Sequence, residues 1–354
     1  MNLDRDDIRA AVRSGMISEA QAASILALAE QRHGVRENMD GLDEPFELFR
    51  GFNEIFIVVG LGVLFTGWMV VSGLSTLAEL GNSGSTGGIY ALITLAVSAW
   101  LSTYFTLKRR MVAPSIALVM MFGVGALQLG MTLGWQLGLA FHVRVAFASG
   151  LTTALFILHY FWFRVPFTMA LIGLGVFVTT GSMLVLGGAG WPTAADFFHL
   201  TNEGPYAVLT IALGVIGTAV ALWFDMGDPH RITRRSQAGF WLHVISAPAI
   251  VNTVALTLLE VDTPAAQAAL IAFLCLMALF AIVIDRRSFL VAGVGYVVAL
   301  AVIILERQAG LAVLGLGLGL VLLGAQWERL RGGIMSGLPS FPGKDRLPPW
   351  GQLR

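Results

Sequence analysis

Polar and apolar positions in this chain come in long blocks rather than at the period of a soluble helix or strand. A polar stretch of about fifty residues is followed by runs of close to twenty apolar residues, separated by short polar loops. The runs fall at 55–77, 88–107, 112–133, 143–163, 166–186, 206–224, 238–259, 265–284, 288–305 and 309–325. At about 1.5 Å of rise per residue, each reaches across or nearly across a hydrocarbon core of about 30 Å. A backbone in hydrocarbon must satisfy its own hydrogen bonds, so such runs read as helices. The short-period alternation of a membrane β-barrel is absent. The pattern predicts an all-α polytopic membrane helix bundle with about ten transmembrane helices.

The blocks outside the spans predict the remaining organisation. Residues 1–34 read as a small cytosolic helical hairpin. Gly15 suits the C′ position of its first helix, and Ser18, Glu19, Ala20 and Gln21 have the spacing of a capping box for the second. Ile8, Val12, Ile25, Leu26 and Ala29 supply a narrow apolar stripe, too small for an independent core, so the hairpin is expected to dock. Residues 35–52 form an acidic connector, and 53–327 hold the ten spans. Residues 328–354, rich in Gly and Pro, read as an irregular cytosolic tail.

Tyr90 and Thr94 in the second span are echoed by Tyr206 and Thr210 in the sixth, and Gly173-Leu174-Gly175 in the fifth by Gly293-Val294-Gly295 in the ninth. A tandem four-helix repeat, spans 2–5 and 6–9, accounts for this, against chance agreement among apolar segments. An even number of helices makes such a repeat parallel rather than inverted.

Charge sets the orientation. Lys108, Arg109, Arg110, Arg164, Arg231, Arg234, Arg235, Arg286 and Arg287 fall on the same side as the basic residues of both ends, whereas the other side keeps Arg144 and Arg307. Basic residues favour the cytoplasmic side, which predicts cytoplasmic termini. Across 354 residues, only 12% are charged and 56% are hydrophobic, and 22 basic residues balance 22 acidic ones. That balance argues against a nucleic-acid partner. A single cysteine, Cys275, excludes an internal disulfide and a Cys-based metal centre. The polar start carries no apolar stretch of the kind found in a cleavable signal peptide.

Candidate chemistry is sparse. No Asp or Glu falls within the spans; Glu54, Asp225, Asp285 and Glu306 lie at their ends. This disfavours a proton or sodium path built on a mid-membrane carboxylate. What remains is a candidate polar cleft of His243, Trp241, His159, Gln128 and Asn252, with Asn252 one turn beyond the helix-bending Pro248. Each has a plainer reading, as interfacial aromatic-belt histidines or helix–helix glue. Asp196 and His199, three residues apart in an outer loop, read as a solvated cap before a catalytic pair. Gly130 and Gly134, with Gly315 and Gly319, mark close-packing faces open to a protein partner or to self-association. No metal-ligand spacing, nucleophile motif or phosphate loop occurs, so no catalytic residue, metal or cofactor is assigned and an enzyme is not favoured.

Gly15-Met16-Ile17-Ser18, the segment Asp228-Pro229-His230-Arg231-Ile232-Thr233-Arg234-Arg235-Ser236 with Phe240-Trp241-Leu242-His243, and Ile284-Asp285-Arg286-Arg287-Ser288 resemble patterns in a group of uncharacterised bacterial multi-pass membrane proteins that begin with a Gly-(Leu/Met)-Ile-Ser hairpin. The resemblance implies a bacterial inner-membrane location and carries no activity. It also implies His at the position of Asn252, which leaves a two-histidine site incomplete here. Two function classes stay open: a permease or flippase-like carrier of a neutral, weakly charged or lipidic solute, and an accessory or assembly subunit of a membrane complex.

Overall fold

The computed structural model describes residues 5–32, 52–78, 85–231, 233–287, 289, 293, 296, 314, 317–319, 321–322 and 324–350. The described elements are helical. They comprise α1 (Arg5–Arg13), α2 (Glu19–Arg32), α3 (Phe52–Ala78), α4 (Ser85–Ser102), α5 (Val112–Gln136), α6 (Phe141–Phe163), α7 (Thr168–Leu184), α8 (Tyr206–Met226), α9 (Arg234–Val261), α10 (Pro264–Ile284) and α11 (Trp327–Gly337). Eight of these, α3 to α10, are long and apolar enough to cross a membrane. The chain is therefore a multi-pass membrane protein by length and composition of its helices. The ninth and tenth predicted spans fall mostly outside the described residues.

The chain divides into two compact units, Pro45–Trp191 and Met1–Glu44 with Pro192–Arg354. In the first, α5 is the central and most enclosed helix, packed on α3, α4 and α6, while α7 packs on α6. Small residues permit the closest approach. A Cβ at Gly130 would lie 2.6 Å from the Ala148 Cα, and one at Gly134 would lie 2.6 Å from the Arg144 Cγ. The stripe of Ala126, Gly130 and Gly134 is thus the seat of α6 within this chain. α4 ends in a π-helical turn, Thr103–Lys108, where Thr106 donates to Ser115 of α5 at 2.8 Å.

In the second unit, α8 and α9 form the most extensive pair, α10 packs on α9, and α11 packs on α10. The start of α10 follows its local chemistry: Thr263 caps the helix by accepting from the Ala266 N–H at 3.2 Å, and Pro264 occupies the first turn, where a missing N–H costs little.

α1 and α2 pack on each other through Ile8 and Ala22, flanked by Val12, Ile17, Ala23 and Leu26. The capping box forms in both directions, from the Ser18 N–H to Gln21 Oε1 at 2.9 Å and from the Gln21 N–H to Ser18 Oγ at 3.2 Å. Ile25, expected on the buried stripe, is exposed; Ala22, whose small side chain lets the helices meet, takes that place.

The segment expected to be an irregular tail, 328–354, is corrected by the structure. Residues 327–337 are helical, and Trp327, Arg331 and Met335 are buried. Arg331 donates to the carbonyls of Ile282 (3.1 Å), Pro348 (2.7 Å) and Pro349 (2.8 Å). The prolines that suggested disorder present their carbonyls to one buried guanidinium, and that contact folds the segment back on the end of α10.

Candidate functional site

The five residues of the predicted cleft divide between the units. His243, Trp241 and Asn252 lie on α9, whereas His159 and Gln128 lie on α6 and α5 of the other unit. His159 and Gln128 also sit at different depths. α6 runs antiparallel to α5, with Phe156 against Gly123 and Ala148 against Gly130, so Gln128 lies level with the middle of α6 while His159 meets Phe122.

His243 is fully buried. Its Nε2 lies 3.0 Å from Asp225 Oδ2, and its ring meets Phe289 edge-on at 5.8 Å. Asp225, in the last turn of α8, also accepts two bonds from Arg286, from Nε at 3.0 Å and Nη2 at 2.6 Å. Arg286 donates again to the Ser236 carbonyl at 3.0 Å and to its hydroxyl at 3.2 Å. The carboxylate lies tight on the backbone of α9, where any Cβ at Gly239 would collide with Asp225 Oδ1.

A second buried acid continues the network. Asp285, left-handed at the end of α10, pairs with Arg231 at 2.9 Å and accepts from Trp327 Nε1 at 2.7 Å, with Arg331 at 3.9 Å. Burial alone would raise its pKa; the charges of Arg231 and Arg331, the indole hydrogen bond and the charge of Arg286 outweigh it and hold the carboxyl below its ordinary range. Asp228 accepts from both the N–H and the hydroxyl of Thr233, which starts α9. These acids are met by Arg231 and Thr233 from the α8–α9 connection, His243 of α9, Arg286 just after α10, and Trp327 of α11. The arrangement is a clasp that fastens helix ends, because partners within the chain occupy its acceptors.

The pair of Asp196 and His199 does not form either. Asp196 accepts from the Thr193 amide (2.7 Å), the Thr193 hydroxyl (2.8 Å) and Asn202 (2.9 Å), which hold its carboxyl below the ordinary range. His199 turns instead to Glu260, with Nδ1 2.7 Å from Oε2.

The feature that offers room is in the Pro45–Trp191 unit. α3 and α7 flank the α5–α6 pair, and the gap between them is a groove of about 510 Å³. Met120, Val124 and Leu127 of α5 and Phe156 of α6 are among its floor, with Val58 and Gly62 of α3 on one side and Leu171 and Val178 of α7 on the other. Its two hydroxyls use their donors within α6: Ser149 donates to the Ala146 carbonyl at 3.0 Å and Thr152 to that of Ala148 at 2.8 Å. The groove is therefore apolar along its length. On α5 it runs from Ala117 to Leu127, about 15 Å at the helical rise, which is about half the thickness of a bilayer core.

Two buried polar groups, neither of them part of the groove's lining, lie on the helices that flank it. His159 is one turn beyond Phe156, on the α6 stripe that carries Ser149 and Thr152. It is 3% exposed, neither ring nitrogen has a partner, and its ring is held between Phe122 and Phe163 at 5.0 and 4.6 Å. Glu54 is one turn before Val58 on the lining stripe of α3, 5% exposed, with Oε2 unpartnered. Gln128 Oε1 is likewise buried without a partner. Sequence reading noted Glu54 only as a span-end residue, although its spacing of four from Val58 was there to be read. Among the described residues, no group of His, Cys, Asp and Glu is arranged to hold a metal.

No protein-family model, curated protein or solved structure matches this chain. The functional reading therefore rests on geometry.

Proposed function

We propose that the protein is a carrier of a lipidic solute, flippase-like in kind, which holds an acyl chain in the groove between α3 and α7. The observation that supports this is the groove itself: apolar along its length, open on its side, and about one leaflet deep. Of the solutes left open by the sequence, a neutral polar one meets only the acceptor lone pairs of Ser149 and Thr152 along the groove wall, whereas an acyl chain needs no hydrogen-bonding group. The reading includes ten spans, with the last two over 288–305 and 309–325, cytoplasmic termini, a bacterial inner membrane, and a tandem repeat of spans 2–5 and 6–9. In support of the repeat, Thr94 and Thr210 bond back to the carbonyls of Tyr90 and Tyr206 at 2.8 and 2.9 Å, the same device at echoed positions.

Filling the groove tests the reading. A Cβ at Gly62 meets no atom within 4 Å, so Gly62→Phe occupies the groove without disturbing the packing behind it. Lipid movement between leaflets of proteoliposomes is expected to be lost in Gly62→Phe at an unchanged unfolding temperature. Wild-type vesicles that move lipid no faster than protein-free ones contradict the proposal.

A second reading, an accessory subunit docking through its N-terminal helices, is favoured by Met16, Ile25 and Leu28, apolar and exposed on that element. Copurification of a partner that is lost in Ile25→Glu/Leu28→Glu would support it.

A further inference from the structure

Lipid tails are as apolar as Leu, so moving a chain from the bilayer into the groove gains packing but no hydrophobic free energy. Selection among lipids must come from what the groove wall offers beyond apolar contact. Among the described lining residues none is charged, and two carry a side-chain oxygen, Ser149 and Thr152 of α6. Both are nine-tenths buried. Phe156 packs on Gly123 and Ala148 on Gly130, so the antiparallel register sets these hydroxyls beside the stretch of α5 that carries Val124 and Leu127. Thr152 is the middle residue of α6.

A hydroxyl has one proton to give and two lone pairs with which to receive. Both protons are committed to carbonyls one turn back on α6, those of Ala146 and Ala148, and neither oxygen accepts from a described residue. Other buried hydroxyls of this unit are answered across helices. Thr94 accepts from Trp68 Nε1 at 2.8 Å, Ser115 from Thr106 at 2.8 Å, and Thr153, next to Thr152, meets Thr179 of α7 at 3.3 Å. The groove wall therefore presents acceptors and no free donor. An ester or ether oxygen on the occupant, itself an acceptor, gains little there, because turning either proton toward it breaks a bond already made. A phosphate or an ammonium meets no countercharge. A hydroxyl, by contrast, donates to either oxygen.

We propose that the occupant of the groove is an uncharged acyl lipid with a free hydroxyl, diacylglycerol in kind, whose O–H is received by Ser149 and Thr152. This rests on the reading of the groove as an acyl-chain site. From the level of the two hydroxyls the groove continues along α5 to Ala117, which gives one chain its length, and its open side leaves the second chain in the bilayer. The depth suits a carrier. Halfway along a spanning helix a lipid hydroxyl is furthest from water on either side, and an unbonded hydroxyl in hydrocarbon is what opposes the crossing of an otherwise apolar molecule. Acceptors at that level supply the missing bond where water does not reach.

The test compares lipids that differ at one oxygen. The full chain, stripped of lipid in detergent, is equilibrated with an equimolar mixture of 1,2-diacylglycerol, its 3-O-methyl ether and the corresponding phosphatidic acid, all with the same acyl chains. The protein is repurified and its retained lipid is counted by mass spectrometry. Wild-type retention of the ether is expected to be about tenfold below that of the alcohol, the effect of one hydrogen bond, and phosphatidic acid is expected to be retained less than the alcohol. Ser149→Ala/Thr152→Val, in which valine keeps the branched shape of threonine, is expected to retain alcohol and ether alike, and Gly62→Phe to retain neither. Equal wild-type retention of alcohol and ether, retention of phosphatidic acid at or above that of the alcohol, or an undiminished preference in the double variant overturns the hydroxyl assignment and leaves the groove standing. Retention of every lipid no greater in the wild type than in Gly62→Phe overturns the groove as well. The ether comparison needs only the wild-type chain, so it decides the matter even where a variant fails to fold.

Discussion

Asp225 and Arg286 join α8 to the end of α10, with His243 of α9 as a third member. Replacing Asp225 by Ala leaves a guanidinium and an imidazole that are 2% and 0% exposed without their anion. Removing one partner of a buried pair costs about 3–5 kcal/mol, whereas replacing both by apolar groups of similar size is often close to neutral. Arg286 keeps its two bonds to Ser236, so the lower end of that range, about 3 kcal/mol, is expected for Asp225→Ala. Arg286→Met is expected to cost a similar amount, because Asp225 then retains only His243 and remains pressed against Gly239. The double variant should be no less stable than either single one. That outcome corresponds to a coupling energy of at least about 3 kcal/mol, at the top of the range for residues in contact. Reversible unfolding of the full chain in mixed micelles, read by hydrogen exchange in α8, α9 and α10, gives the four stabilities. Single costs below about 1 kcal/mol, or costs that add to within about 0.5 kcal/mol, would show the pair behaving as a solvated surface bridge, and the clasp would be refuted.

Gly130→Val places branched carbons where a Cβ already falls 2.6 Å from the Ala148 Cα, and overpacking of this kind costs about 1–3 kcal/mol; an unfolding temperature within error of the wild type would contradict the α5–α6 contact. Asp285 gives a pH dependence. Because its carboxyl is held below its ordinary range in the folded chain, its stabilisation is fully present above that range and is lost as pH falls through the folded value. Hydrogen exchange in α11 should therefore quicken on acidification below the usual carboxylate range, and Asp285→Asn should give quick exchange already at neutral pH with a flatter profile; a profile in Asp285→Asn identical to the wild type's would place the sensitivity elsewhere.

Spans were legible because their causes are local. The reading of 265–284 lies within one residue of α10, whose start is set by Thr263 and Pro264. The reading of 238–259 falls short of α9, which begins at Arg234 because Asp228 grips Thr233 and Thr233 in turn caps Arg235 at 3.1 Å. That chain of polar contacts has no apolar signature. The folded segment after Arg331 escaped reading for a similar reason. Gly and Pro content measures the absence of an apolar core, but here the organising contact is a single guanidinium collecting the carbonyls of Ile282, Pro348 and Pro349. His243 stands out in the sequence as a buried-span histidine, but its meaning depends on Asp225, which the packing of α9 on α8 brings to it. Hydropathy reports what a segment avoids; it does not report which polar groups find each other across a bundle.

The acids at the span ends carry the sharper lesson. A reading by position groups Glu54, Asp225 and Asp285 together as interfacial residues, each free to meet water. Burial removes all three from water, because each is 5% exposed or less, and at that depth a carboxylate must be answered or neutral. Asp225 and Asp285 are answered by Arg286, Arg231 and Trp327, supplied by neighbouring helix ends of the same unit. In the unit of Glu54, the described cations stand apart: Arg144 lies over Trp135 at 4.6 Å, and Arg109 bonds Tyr104 at 3.1 Å. Asp225 and Asp285 are thus paired with arginines of their own unit, whereas Glu54 Oε2 has no hydrogen-bond partner among the described residues. The network with the most charge is therefore the framework of its unit.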